Sequence, residues 1–294
     1  MTPSATQGGP PGAFPAAIQA AGLGAAPLAG PAPALLFDHV TIRFGAYTAV
    51  NDASLYVGDG EFVSIVGPTG CGKSTLLNVA AGLLEPTEGD ICVYGRSLEG
   101  INKDAGYLFQ ADALMPWRTA LSNVVTGLEY GGVARAEAER LGTEWLARVG
   151  LTGHGERFPH ELSGGMRKRV ALAQTLIRDP KIVLMDEPFS ALDVQTRVLM
   201  ENELLQLWTT YRKSVLFITH DLEEAISLSD RVIILSAGPS TRPLAEFKID
   251  LPRPRDVAEI RMTPRFVELY HLIWDAMKEE VLKAYERNQR KLAD

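Results

Sequence analysis

The chain has 294 residues, and 29 Lys+Arg against 36 Asp+Glu leave a formal charge of −7, with 22% of residues charged and 46% hydrophobic. This is the balance of an ordinary soluble globular protein. It argues against nucleic acid as a partner, because phosphate-backbone attraction needs a basic face to displace counterions. No run approaches the roughly 18 consecutive apolar residues of a membrane span, the length suffices for a core without structural metal, and two cysteines, Cys71 and Cys92, fit a reducing compartment.

Residues 1 to 34 hold eleven Ala, seven Pro and six Gly, and no charge appears before Asp38, so a disordered tail is expected. No Lys or Arg precedes an apolar stretch there and prolines interrupt it, which speaks against a secretory signal. From Leu35 the pattern turns to short β-like runs, Leu35 to Phe37, Val40 to Phe44 and Ala53 to Val57, the last with alternating faces, as in an antiparallel sheet. Four nearly continuous apolar runs follow: Phe62 to Val66, Tyr107 to Phe109, Ile182 to Met185 and Val215 to Ile218. Continuous hydrophobicity marks strands buried on both faces, the habit of a parallel sheet covered by helices.

Helical patterns lie between these runs. One helix begins at Lys73 and closes at Gly82; another covers about 134 to 149, with Glu144 and Arg148 spaced for an i,i+4 pair. A third starts at Ser163 as N-cap and turns Met166, Val170, Ala173 and Ile177 inward. Asp112 to about Leu162 supplies no strong strand, so a mostly helical insertion is placed there. Thr263-Pro264 opens a C-terminal amphipathic helix through Phe266, Tyr270, Ile273, Met277 and Val281.

The four buried runs end at Gly67, Gln110, Asp186 and His220, and ligands of an open parallel sheet bind outside the carboxyl ends of its strands. Gly67-Pro68-Thr69-Gly70-Cys71-Gly72-Lys73-Ser74 matches the phosphate-binding pattern G-x-x-x-x-G-K-[ST] between a strand and a helix start. Its glycines let backbone N–H groups point inward around phosphate oxygens, Lys73 adds a point charge, and the Ser74 hydroxyl can ligate Mg²⁺, with Thr75 framing the site. A Gly-rich turn of no consequence is the competing reading of the pattern alone; the strand before it and the helix after it favour a nucleotide. An acidic pair at a strand end is by itself usually a turn. Beside a phosphate loop, Asp186 can hold the magnesium shell and Glu187 can orient or deprotonate the attacking water. Gln110 and His220 become γ-phosphate, magnesium or water contacts by the same shared position. At Ser163-Gly164-Gly165 a second helix end offers free N–H groups to an anion. Two phosphate-gripping ends on one chain make sense if each nucleotide lies between two copies.

In this order, the phosphate loop, the Gln110 loop, Leu162-Ser-Gly-Gly-Met166, Asp186-Glu-Pro188, Ser190-Ala-Leu-Asp193 and His220 resemble the nucleotide-binding subunit of an ATP-binding cassette transporter, over about residues 35 to 240. The resemblance implies an α/β fold: a P-loop RecA-like core with an antiparallel β subdomain and an inserted α-helical subdomain at about 112 to 162, followed by a C-terminal extension, 241 to 294. It implies an ATPase using ATP and Mg²⁺, with ATP held by residues 67 to 75 and Gln110, metal by Ser74, Gln110 and Asp186, and catalysis by Glu187, His220, Lys73 and Gln110. A head-to-tail homodimer would supply Ser163, Gly164, Gly165 and Met166 in trans, with Asp193 at the seam. An aromatic ahead of the phosphate loop stacks on adenine in such proteins; Phe44 fits by spacing, with Tyr47 its close competitor. The segment from Gln110 to Trp117 would touch integral-membrane permease subunits.

Met166 and Lys168 depart from the family's commoner residues, which leaves the role of residue 168 in interface contacts open. Cys71 reads as a small space-filler sensitive to alkylation when ATP is absent, and Cys92 as buried. Leu108 to Trp117, Asp186 to Arg197, Ala225 to Ser236 and Leu251-Pro-Arg-Pro-Arg255 are similar to bacterial importer ATPases for nitrate, sulfonate and taurine. Those work at the cytoplasmic face of the inner membrane, peripheral to it, with a periplasmic solute-binding protein as an indirect partner. A cassette protein acting on DNA or ribosomes is the alternative, but such relatives carry two cassettes or a long coiled-coil insertion. A P-loop small-molecule kinase leaves Leu162 to Met166 and His220 without a purpose.

Overall fold

The computed structural model describes residues 31–293. The tail expected over residues 1 to 34 therefore lies mostly outside the described residues; Ala34 is buried, and its carbonyl accepts from the Tyr94 N–H at 3.2 Å.

Strands β1 (Leu35–Phe44), β2 (Tyr47–Val57) and β3 (Phe62–Val66) lead through the phosphate loop into α1 (Lys73–Ala80). Then come β4 (Glu88–Val93), β5 (Arg96–Ser97) and β6 (Ala105–Leu108), the helices α2 (Ala120–Tyr130), α3 (Arg135–Arg148) and α4 (Gly164–Leu176), and β7 (Ile182–Asp186). The chain continues through α5 (Val194–Tyr211), β8 (Ser214–Ile218), α6 (Leu222–Leu228), β9 (Arg231–Leu235), β10 (Pro243–Lys248), α7 (Val257–Ile260) and α8 (Pro264–Ala293). Two sheets result. One is antiparallel, in the order β2-β1-β4-β5; the other runs β10-β9-β3-β8-β7-β6, parallel except for β10.

The continuous apolar runs have a direct explanation in this layering. Val183 and Met185 of β7, with Val215 and Phe217 of β8, pack among residues of α2, α4 and α5. Their neighbours Ile182, Leu184, Leu216 and Ile218 face α1 and the antiparallel sheet. Each strand is thus covered on both sides, and polar residues are confined to strand ends, Ser214 opening β8 and Asp186 closing β7. A third cluster joins β9, α6 and α8 through Ile226, Ile234, Phe266, Ile273 and Met277.

Several expectations are corrected. The two runs before Phe44 form one strand, because β1 absorbs register irregularities between Phe37 and Val40 and a left-handed His39 (φ 52°) while keeping its partners β2 and β4. A fifth buried strand, β9, lies beside β3. Its opening residue is Arg231, 5% exposed, whose guanidinium pairs with Glu61 (3.0 Å) and Glu246 (2.9 Å) and stacks on Tyr56, so the charge hides an otherwise apolar run. Glu144 pairs with Arg140 rather than Arg148, whose guanidinium bonds the Tyr211 hydroxyl at 2.8 Å and covers the Trp145 ring. Cys92 is half-buried, not buried. Residues 241 onward open with β10, which joins the core sheet, and α8 then packs its Phe266, Leu269, Ile273 and Met277 against α6 and β9.

Candidate active site

The order β3-β8-β7-β6 places four strand ends side by side, followed in turn by the phosphate loop, His220, the Asp186-Glu187 pair and Gln110. Phe44, Thr69, Gly70, Gly72, Lys73, Ser74, Thr75, Gln110 and Glu187 line one cavity of about 380 Å³ together with Tyr47 and Ala49.

The loop before α1 is shaped by glycine. Gly72, the N-cap, sits at φ 108°, a backbone conformation that side chains rarely adopt, and a Cβ there would lie 3.4 Å from the Val50 side chain. No side chain caps α1, and the first intrahelical bond is Leu76 N–H to Gly72 O at 3.2 Å. The N–H groups of Lys73, Ser74 and Thr75 are thus left to an anion. Lys73 is 5% exposed; its Nζ donates to the carbonyls of Gly67 (3.0 Å) and Pro68 (3.2 Å) and stands 4.0 Å from a Glu187 carboxylate oxygen. With two of three donors on its own loop, the ammonium is held at the cavity wall. These open N–H groups, the lysine and the glycine backbone fit a polyphosphate.

At the end of β7 the two carboxylates divide. Asp186 accepts from the Ser74 hydroxyl at 3.0 Å. Burial pushes its carboxyl above the usual range and the Glu187 charge adds to that, while the Ser74 hydroxyl and Lys73 pull it back. Two hard oxygen donors at hydrogen-bond distance fit a divalent cation of the Mg²⁺ type. Glu187 has φ 42°, left-handed for a non-glycine residue, and its N–H is fixed by the Ile218 carbonyl at 2.9 Å. Such a conformation costs about 1–3 kcal/mol and concentrates at functional positions. Here it turns Glu187 toward His220, whose Nδ1 donates to Oε2 at 3.0 Å. Phe44 and Tyr47 flank the tight turn at Gly45, 51% and 47% exposed, both on the cavity rim; spacing alone does not choose between them.

Ser163, Gly164, Gly165, Met166 and Asp193 do not line this cavity. Ser163 is exposed, caps α4 by accepting from Met166 N–H at 3.2 Å, and leaves the first-turn N–H groups of Gly164 and Gly165 unclaimed by its side chain. A Cβ on Gly165 would come within 2.7 Å of the Thr196 methyl, so only glycine lets α4 approach the start of α5 this closely. Asp193 caps α5, accepting from Thr196 N–H at 3.0 Å, and that backbone hydrogen bond holds its carboxyl below the usual range.

Cys71 is corrected in one respect. Its thiol is 2% exposed, and burial raises its pKa more than the nearby Lys73 lowers it, which disfavours the thiolate that alkylating reagents need. Sequence reasoning also missed neighbours of the site. Tyr107 lies beside Asp186, with its hydroxyl 3.2 Å from Asn78 and its pKa raised by burial and by the Asp186 charge. Arg197 bridges the Leu192 carbonyl and Asp221, next to His220, both at 3.2 Å. Tyr107 passed as one more apolar strand residue, and Arg197 entered only as the end of the stretch that resembles importer ATPases.

The chain is similar to known ATP-binding proteins in sequence and in fold. The ABC transporter family model matches residues 50–190. An uncharacterised ABC transporter ATP-binding protein of Methanocaldococcus jannaschii is 47% identical over 236 residues, 80% of this chain and 86% of that one. The taurine import ATP-binding protein of Rhizobium johnstonii is 41% identical over 244 residues, 80% and 93%. The dimeric post-hydrolysis structure of an ATP-binding cassette bound to ADP and Pi superposes with a TM-score of 0.64 at 31% identity, covering 74% of this chain and 100% of that one.

Proposed function

Because the chain belongs to the ABC transporter family and is its ATP-hydrolysing, ATP-binding component, we propose that two copies close head to tail over two ATP and drive solute import through a separate membrane permease. The observation that carries this reading is the row of strand ends: Lys73, Ser74, Asp186, Glu187, His220 and Gln110 at one sheet edge, beside a cavity of about 380 Å³.

In this reading Phe44, or Tyr47 in its place, stacks on adenine. The backbone of Gly67, Pro68, Thr69, Gly70, Cys71 and Gly72 and the N–H groups of Lys73 to Thr75 wrap the phosphates. Ser74, Asp186 and Gln110 hold Mg²⁺, which when bound neutralises charge on the phosphate oxygens. Glu187 orients the attacking water and takes its proton, and His220, already bonded to Glu187, steadies that carboxylate next to the γ-phosphate. Ser163, Gly164, Gly165 and Met166 of the second copy complete each site, with Asp193 at the seam. A dimeric solved relative supports this arrangement.

The permease would dock over Gln110 to Trp117, where Trp117 (74% exposed), with Phe109 (42%) just ahead of the segment, presents unburied aromatic surface. No described helix is long and apolar enough to cross a membrane, so the spanning segments are assigned to the partner. The chain would then sit peripherally at the cytoplasmic face of a bacterial inner membrane, fed indirectly by a periplasmic binding protein. Nitrate, sulfonate, taurine or a similar small solute is the cargo class, supported by the relative named for taurine import. Steady-state turnover tests the chemistry. Glu187→Gln retains ATP binding and loses hydrolysis by about 10²–10⁴-fold, the usual worth of a positioned base; undiminished turnover would overturn the assignment.

A further inference from the structure

Lys168 lies on the second turn of α4 and is 3% exposed. An ammonium in such a position costs several kcal/mol unless every donor is answered. Here all three are. Nζ reaches the Phe109 carbonyl at 3.3 Å, the Gln110 carbonyl at 2.6 Å and Asp112 Oδ1 at 3.2 Å. The other Asp112 oxygen accepts from Arg167 Nε at 2.9 Å, and Arg167 also donates to the Leu162 carbonyl at 2.8 Å. Two consecutive cations of α4 therefore grip three of the four residues of the Phe109–Asp112 segment, through two backbone carbonyls and one carboxylate.

We infer that Lys168 is a positioning residue that couples Gln110 to the Ser163–Gly165 helix end. Gln110 faces the cavity of its own chain, while Ser163 to Gly165 serve the nucleotide of the second copy; this inference rests on that two-copy reading. Lys168 stands five residues from Ser163 on one rigid helix, so a displacement of the Gln110 backbone moves the anion-binding end with it. The coupling is reciprocal: ATP in one cavity favours the α4 position that grips the other ATP, and the reverse. A neutral side chain at 168 leaves the Gln110 carbonyl without its cation and Asp112 with Arg167 alone.

The test uses the full chain carrying Lys168→Met, in the wild-type and Glu187→Gln backgrounds. Expected results are a loss of about tenfold in turnover at saturating ATP and a rise of about tenfold in the ATP concentration that dimerises the Glu187→Gln chain. Affinity of the monomer for ATP stays within twofold, which a collapsed pocket would not allow. Asp112→Asn, which leaves Lys168 in place and weakens the same clamp, reproduces the dimerisation defect, and the double variant is less than additive. Turnover and dimerisation within twofold of the parent would overturn the inference, as would a parallel loss of monomer ATP affinity. If the Glu187→Gln chain without Lys168→Met fails to dimerise with ATP, the two-copy reading falls and this inference with it.

Discussion

Glu224 sits four residues past His220 on α6, 2% exposed. Its Oε2 accepts from the Thr219 hydroxyl at 2.6 Å and its Oε1 lies 3.7 Å from Arg197. Burial pushes its pKa from 4.5 up to about 7, with the Asp221 charge adding to the rise and Thr219, Arg197 and His220 opposing it. A carboxyl whose folded pKa exceeds its unfolded pKa binds its proton more tightly in the folded chain. Its contribution to stability is therefore full below about pH 4.5, declines as pH rises to about 7 and is flat above. The depth of that decline is on the order of 3 kcal/mol. Glu224→Gln keeps an oxygen for the Thr219 hydroxyl and cannot ionise. In urea titrations the variant is expected to match the parent near pH 5 and to exceed it by about 1–3 kcal/mol at pH 8. Glu201, also buried with its pKa pushed up to about 7, is raised partly by the Glu224 charge, so the variant relieves Glu201 as well and the two contributions to the difference share one sign. A difference that does not change between pH 5 and 8, or a variant that weakens as pH rises, would refute the reasoning.

Other consequences concern the site. Phe44→Ala should weaken ATP binding by about 1–3 kcal/mol, the usual worth of a base-stacking aromatic; if equilibrium titration shows the loss in Tyr47→Ala instead, Tyr47 is the platform. The buried Cys71 thiol should react with a maleimide far more slowly than a free cysteine at pH 7.5 even without nucleotide, as followed by mass spectrometry. Gly165→Ala places a Cβ 2.7 Å from the Thr196 methyl, so ATP-dependent dimerisation should fall by about tenfold or more while monomer ATP affinity is unchanged.

Much of this was legible because the chemistry is local in sequence. The phosphate loop, Asp186-Glu187 and Ser163-Gly-Gly each follow or open a regular element, and the buried strands showed by unbroken apolar runs. What escaped depended on contacts distant in sequence. The Arg231 charge hid β9, since only the fold reveals Glu61 and Glu246 around it. Arg140 took Glu144 because Arg148 finds Tyr211, 63 residues away. Lys168 read as a signature variant, and its worth lies in carbonyls of Phe109 and Gln110 that spacing does not disclose. The half-burial of Cys92 likewise follows from its place on β4 rather than from its residue type.

In the proposed dimer each nucleotide is gripped by Lys73 of one copy and Ser163 to Gly165 of another. Sedimentation of the Glu187→Gln chain with and without Mg-ATP tests it most directly, alongside the same chain carrying Ser163→Arg. The expected result is a monomer without nucleotide, a dimer with ATP, and a monomer that still binds ATP once Ser163 is replaced. A Glu187→Gln chain that stays monomeric at saturating ATP, or a dimer indifferent to Ser163→Arg, would contradict it.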